Sequence, residues 1–436
     1  MKLAGVNILI DGYNLSMEKG TGIKTYGINL LDIIRKIGGN PGVVLFDFDF
    51  NYYGIDEVLL FDAHDWSSND SNKKLRKIFS LIKHITRPQT RKLELSYRSV
   101  PPERFEFVAK KSDLKTFISP GYFKESMRLF KATGLLSQLN FKEKIDIWHM
   151  TYPMAIKVKN AKTVVTIHDL IPLKVPWSCL DEKVYWYKLV KKLVNESDLI
   201  ISVSENTKKD ILDYFDIDEG KICVTYQKVE PLIKTLGSSS SIILKQNNLK
   251  PGSYFLFVGN IEPKKNLRKL LEAYLNLNTD ISLVVAGSKG WLWEKELDII
   301  TKFKNNKNSK SILKKIIFLD YVTKKDLIDL YTNALCLVFP SLYEGFGLPP
   351  LESMSAGCPV ITSNVSSLPE VCGDAALYVN PYESDDIKLK MEMIINDIDN
   401  GGKLRQVMIE KGYKQFEFFS EENYADRLYN AYSKVL

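Results

Sequence analysis

Short apolar runs punctuate this chain, and the stretches between them return apolar residues at helical spacing. Val6–Ile10 reads as a first strand and Ile23–Ile37 as a first helix, with further strands expected at Ile145–Trp148, Thr163–Ile167, Leu199–Val203 and Cys223–Tyr226. Ser204-Glu205-Asn206-Thr207 reads as a helix cap, because a serine hydroxyl can accept from a first-turn amide; the helix it opens runs through Tyr214. After a flexible stretch, Gly237–Ser241, the alternation restarts. It runs through Phe255–Val258, the helix Leu267–Tyr274, Leu283–Ala286, Ile316–Leu319, the helix Leu327–Tyr331 and Leu335–Phe339. Strand and helix in turn predict parallel sheets wound by right-handed crossovers. The expected architecture is therefore α/β: two doubly wound, Rossmann-like domains facing a cleft, at residues 1–235 and 236–417.

Composition narrows the class. The 436 residues suffice for two domains and a large core, and 45% hydrophobic with 26% charged residues is ordinary for a soluble protein. The net charge of +7 suits polyanionic small ligands or an anionic membrane surface. No nucleic-acid-binding module is present, so no nucleic-acid partner is expected. Cys179, Cys223, Cys336, Cys358 and Cys372 are scattered, with no C-x-x-C pair, which reads as reduced thiols in a cytoplasmic compartment. Met1–Ile10 leads into a strand instead of a signal peptide, and no run has the length of a membrane span.

The most informative segment is Tyr343-Glu344-Gly345-Phe346-Gly347-Leu348-Pro349-Pro350-Leu351-Glu352. A buried strand, Ala334–Phe339, precedes it; Ser353–Ala356 reads as helix, stopped by Gly357 and Pro359. Pro350 suits a first helical position, since its missing amide proton costs nothing there. Gly345 and Gly347 let backbone amides approach a ligand closely. The helix start then offers unpaired N–H groups and a partial positive charge, which is an anion site. Glu352 follows on the first turn and can accept hydrogen bonds from a sugar diol. An anion beside a diol describes a nucleotide diphosphate beside its ribose. In Gly259-Asn260-Ile261-Glu262-Pro263-Lys264-Lys265-Asn266, a strand leads again into a helix, and Lys265, with Lys264 as a second cation, can neutralise a pyrophosphate.

The Glu-x7-Glu element resembles the signature of the retaining GT-B glycosyltransferases of family 4 (glycosyltransferase group 1), mannosyl- and rhamnosyltransferases among them. Gly259–Asn266 is similar to that family's second phosphate loop, Thr166-Ile167-His168-Asp169-Leu170-Ile171-Pro172 to its sugar-contacting histidine loop, and Gly20-Thr21-Gly22-Ile23 to its amino-terminal glycine loop. The four stand in the family's order. The resemblance implies a GT-B fold whose carboxy-terminal helix, 418–436, crosses back to the first, acceptor-side domain; the second domain binds the nucleotide sugar. It implies a retaining hexosyltransferase that uses a nucleotide-sugar donor, GDP-mannose first, without metal or other cofactor. A glycan or lipid-linked saccharide of a bacterial surface polysaccharide such as O-antigen would accept the sugar. His168, Glu344 and Lys265 would carry catalysis. Gly22, Asn260, Lys264, Gly345, Phe346, Gly347, Leu348 and Glu352 would bind the donor, with Gly20 and Asp169 on the acceptor side, Asp169 orienting its loop. Asn260 departs from the pattern: many relatives carry arginine there, and asparagine cannot give phosphate a charged fork. More of the leaving-group charge would then rest on Lys265 and Lys264.

Three features are read apart from these loops. Asp47-Phe48-Asp49 and Asp216-Ile217-Asp218 have the Asp-x-Asp form that holds a metal in another glycosyltransferase fold, but neither lies among the phosphate motifs, and they are read as decoys. Leu75, Ile78, Phe79, Ile82 and Ile85 share a helical face beside Lys73, Lys74, Arg76, Lys77 and Lys83; Phe123, Met127 and Phe130 share another beside Lys124, Arg128 and Lys131. These are either surface helices covering a sheet or a peripheral contact with the inner face of the plasma membrane. Two alternatives stay open: a non-catalytic GT-B scaffold or partner subunit, and a non-hydrolysing sugar-nucleotide epimerase.

Overall fold

Two largely parallel sheets organise the protein. The computed structural model describes residues 3–17, 22–46, 91–92, 114–119, 121–232, 241–304 and 312–436. The expectations for Gly20, Asp47, Asp49 and the Leu75–Ile85 helix with its lysines lie outside the described residues. In the first half, the strands are β1 (Asn7–Asp11), β2 (Asn40–Leu45), β3 (Arg91–Lys92), β4 (Lys115–Ile118), β5 (Ser137–Leu139), β6 (Ile147–Met150), β7 (Ile156–Val158), β8 (Lys162–Ile167), β9 (Leu199–Ser202) and β10 (Ile222–Val224). They form a sheet ordered β10-β9-β8-β6-β1-β2-β4-β3, with β5 and β7 paired separately. The second half holds β11 (Tyr254–Val258), β12 (Ser282–Ala286), β13 (Ile316–Leu319), β14 (Cys336–Phe339), β15 (Val360–Ser363) and β16 (Ala376–Val379), ordered β13-β12-β11-β14-β15-β16.

Each sheet reverses its winding once, between β1 and β6 and between β11 and β14. Open α/β sheets bind ligands beyond the carboxyl ends of the strands at such a reversal. The loops leaving these four strands begin at Gly12, Thr151, Gly259 and Pro340. Strand burial explains the unbroken apolar runs: Tyr254–Phe257 and Cys336–Phe339 are fully buried, covered by helices on both faces.

The last helix, Glu421–Ser433, lies against the first half. Its Glu421 and Glu422 take Lys36 Nζ at 2.8 and 2.9 Å, and Glu421 also takes Lys228 Nζ at 2.8 Å. Tyr432 reaches the fully buried His149, whose Nδ1 lies 2.6 Å from its hydroxyl.

Two local expectations change. β6 starts at Ile147, two residues after the expected Ile145. The helix after Gly347 begins at Leu348, before Pro350, and ends at Ser355. Both prolines fit in its first turn, where an amide has no partner within the helix, and Gly347 takes φ 121° ahead of it. Glu352 therefore sits on the second turn, and the prolines reduce the free amides at this helix start to those nearest Gly347 and Leu348. The helix Tyr122–Thr133 follows the first of its two readings, a surface helix covering the sheet: Phe123 and Phe130 are buried in the core, and Phe123 stacks on Tyr13 with centroids 4.0 Å apart. Its apolar face therefore covers the sheet. Lys131 pairs with Glu182, and Arg128 with Glu125.

Candidate active site

Glu344 lies in the loop between β14 and the Leu348–Ser355 helix, and Lys265 in the loop after β11, so adjacent strands deliver both. Lys265 Nζ donates to Glu344 Oε1 at 2.6 Å, with the side chains only 15% and 13% exposed. Ser341 Oγ donates to the same oxygen at 2.5 Å, and Ser366 Oγ accepts from the Glu344 amide at 3.0 Å. The two loops are joined along their backbones as well: the Lys264 carbonyl accepts from Leu342 N and Ser341 Oγ, at 2.7 and 2.8 Å. Asn266, in the left-handed region at φ 59°, donates to the carbonyls of Pro340 and Pro381 at 2.9 and 2.7 Å.

Across the cleft, His168 follows β8. Its Nε2 lies 2.9 Å from the Thr151 carbonyl, which can only accept, so the proton sits on Nε2 and Nδ1 is left as an acceptor. The Tyr26 ring meets the imidazole edge-on, centroids 4.8 Å apart. Ile23, Tyr152, His168, Asp169, Asp181, Trp186 and Lys264 line one pocket. The Asp169 carboxylate accepts from the Ile171 amide at 3.0 Å. Burial raises the pKa of Asp169. Burial also works to lower that of Lys264, but Glu344, Asp169 and Glu262 outweigh it and raise it.

The sequence that builds this site matches two family profiles. That of Glycosyl transferases group 1 covers residues 240–415, and that of Glycosyltransferase Family 4 covers residues 97–231. The O-antigen chain mannosyltransferase B of Escherichia coli is 32% identical over 277 residues, 62% of this chain and 70% of that protein. The chain belongs to the family 4, group 1 glycosyltransferases. The O-antigen chain mannosyltransferase RfbU of Salmonella typhimurium is 30% identical over 57% of this chain and 64% of that protein. Of the longer E. coli serotype-specific mannosyltransferase WbdA, the chain covers 31%. The fold is also that of sucrose-phosphate synthase from Thermosynechococcus elongatus (TM-score 0.66, 16% identity, 98% of each chain). Anabaena HepE, solved in complex with UDP, aligns with TM-score 0.64 and 12% identity over 98% of this chain and 99% of that one. The GT-B architecture is thus established, and the glycosyltransferase family displaces the epimerase alternative.

For a glycosyltransferase of this family, the disposition of the other expected residues is informative. Asn260 is exposed, and its amide reaches only Glu262 Oε1, at 3.4 Å. Phe346 packs its ring on Phe419, centroids 5.4 Å apart, which leaves only its backbone for a ligand. Leu348 closes on the other half: a Cβ at Gly22 would lie 3.3 Å from Leu348 Cδ1. Glu352 is half-buried, accepts from Tyr331 OH at 3.1 Å, and has its pKa raised by burial. Among the described residues, no group of three or more His, Cys, Asp or Glu could hold a metal ion; Asp218 instead accepts from the Gly220 amide in a local turn. Reading the sequence missed Ser341, Ser366 and Ser367, which fix the Glu344 loop; Ser367 Oγ donates to Phe346 O at 2.6 Å and lies 3.0 Å from Glu344 O. A serine in a loop carries no signal of what it will meet.

Protonation of the site's histidines opposes folding. Burial depresses His168 to about 4 and His149 to about 3, from 6.5, with His168 adding to the effect on His149. The unfolded chain therefore binds more protons as pH falls below 6.5, and stability drops. Asp11, raised by burial from 3.8 to about 6, works the other way, because its folded form takes up a proton first. The two histidines alone contribute a loss on the order of 4 kcal/mol between pH 7.5 and pH 5, and Asp11, Asp169 and Glu352, all raised by burial, offset part of it. An NMR titration of the two imidazoles in the folded protein checks this: neither should protonate above pH 5, and a midpoint near 6.5 for either would remove its share of the loss.

Proposed function

We propose that the protein is a retaining, metal-independent hexosyltransferase. It moves mannose from GDP-mannose to a glycan or lipid-linked acceptor in the synthesis of a bacterial surface polysaccharide. The observation that carries this reading is the Lys265–Glu344 pair, held at the winding reversal of the second sheet across the cleft from His168. The names of the E. coli and Salmonella relatives support mannose as the sugar. In this reading, residues 1–235 with helix 418–436 take the acceptor and residues 236–417 take the donor.

The roles follow from the chemistry of each side chain. When the donor enters, its diphosphate competes with Glu344 for Lys265. The freed carboxylate then accepts from hydroxyls of the sugar, and His168 Nδ1 accepts from another. Lys265, Lys264 and the amides near Gly347 and Leu348 stabilise the charge that grows on the diphosphate as the glycosidic bond breaks. The departing phosphate takes the acceptor's proton on the same face, which gives retention without a protein nucleophile. Positioning and charge supply the catalysis. Asn260 is the one feature that favours a non-catalytic subunit, since it removes a cation from the phosphate loop.

Transfer assays with GDP-mannose and an α-mannoside acceptor, in EDTA and with Mg²⁺, test the reading. The expected result is equal turnover in both and an α-linked product. A metal requirement, or a strong preference for UDP- or dTDP-sugars, would replace the corresponding part. Glu352→Ala should weaken free GDP and GDP-mannose alike, by about 1.5–3 kcal/mol, because a carboxylate hydrogen-bonded to ribose is lost from both complexes. Calorimetry that finds unchanged affinity would leave Glu352 as a partner of Tyr331 alone.

A further inference from the structure

The Glu205–Tyr214 helix of the first half grips both sides of the cleft with its first two turns. Thr207 Oγ1 donates to the His168 carbonyl at 3.0 Å, and the capping Ser204 donates to the Gly345 carbonyl at 2.8 Å. One turn further along, Asp210 is 3% exposed and holds Lys174 Nζ at 2.5 Å and Asn206 Nδ2 at 3.1 Å. It also accepts from the hydroxyl of Tyr343, itself buried. A buried carboxylate with three donors has a fixed geometry. Tyr343 and Gly345 flank Glu344, yet the side-chain partners of Glu344 itself, Ser341 and Lys265, come from the second half. The residues on either side of the donor glutamate are thus anchored on the opposite domain, to the helix that also fixes the histidine loop.

We propose that Asp210 is a positioning residue for transfer: through the Tyr343 hydroxyl it holds Glu344 in register with His168 across the cleft. This rests on the catalytic reading above and adds a partner for the donor glutamate from the acceptor-side domain. The tether does not touch Lys265 or Glu352. Its loss should therefore leave nucleotide binding in place while the sugar is presented to a misaligned pair.

Tyr343→Phe removes the hydroxyl and keeps the ring. Asp210→Asn keeps an oxygen that can accept from Tyr343, whereas Asp210→Ala does not. Each variant is assayed with GDP-mannose, UDP-glucose and dTDP-rhamnose and an α-mannoside acceptor, and GDP, UDP and dTDP binding are measured by calorimetry. The expected result is a fall in kcat of about tenfold or more in Tyr343→Phe and Asp210→Ala, with nucleotide Kd within about threefold of wild type. Asp210→Asn should recover most of the turnover, and the Tyr343→Phe/Asp210→Ala pair should be no worse than either single variant. Wild-type kcat in Tyr343→Phe overturns the tether and leaves the catalytic reading standing. So does a parallel loss of kcat, nucleotide affinity and thermal midpoint, which would make the contact merely structural. A wild type that turns over none of the three donors removes the catalytic reading, and the tether with it.

Discussion

Lys265→Ala should cut turnover by about a hundredfold while weakening free nucleotide much less, because the charge this ammonium meets grows as the leaving diphosphate departs. The same change has a cost in stability. Lys265 and Glu344 lie 2.6 Å apart and are largely shielded from water, so removing one strands the other. Breaking such a pair costs about 3 kcal/mol, whereas replacing both members with apolar residues of similar size is often neutral. The double variant Lys265→Met/Glu344→Leu should therefore recover the thermal midpoint lost in Lys265→Ala and still lack transfer. Kinetics and thermal denaturation on the three proteins check this together. Near-normal turnover in Lys265→Ala would move the leaving-group role to Lys264, which lines the pocket with His168 and Asp169. Activity restored along with stability in the double variant would show that the pair serves folding alone.

Gly345→Ala should be as damaging by a different route. A Cβ at Gly345 would lie 2.1 Å from the backbone oxygen of His168 and 2.9 Å from its carbonyl carbon. No rotamer relieves a clash with backbone, so one loop must move away from the other. Misplacement by about 1 Å at a reacting centre can cost about a hundredfold in rate, and overpacking costs about 1–3 kcal/mol. The expected variant folds, binds GDP through the second half and transfers sugar at a hundredth of the wild-type rate or less. Steady-state kinetics beside GDP calorimetry decide it. A fully active Gly345→Ala would mean that the closed approach of the two halves is not the catalytic one.

The fold class was legible in the sequence because the alternation of strand and helix follows from local rules. Ser204 caps its helix in the expected way, accepting from the Thr207 amide at 3.1 Å, since a cap depends on residues three positions apart. The strands on either side of each winding reversal, β1, β6, β11 and β14, were visible as apolar runs because parallel strands are buried on both faces, whereas β2, β4, β15 and β16 were not read from the sequence. The loops after β11 and β14 were visible because glycine, proline and lysine stand at fixed offsets between a strand and a helix. The start of the helix at Leu348 was misread because two prolines fit its first turn equally well from either register. What no local pattern carried was the pairing of Lys265 with Glu344, the backing of that loop by Ser341, Ser366 and Ser367, and the hold of Asp210 on Tyr343. Each joins residues from different loops or different domains, and the order of strands in space brings them together. The sequence by itself determined the fold class, the family and the residue types at the ends of the central strands. Only the tertiary structure decided which charges neutralise one another and which half holds the residues flanking Glu344, because ion pairs and backbone clashes act over a few ångströms of space and are indifferent to distance along the chain.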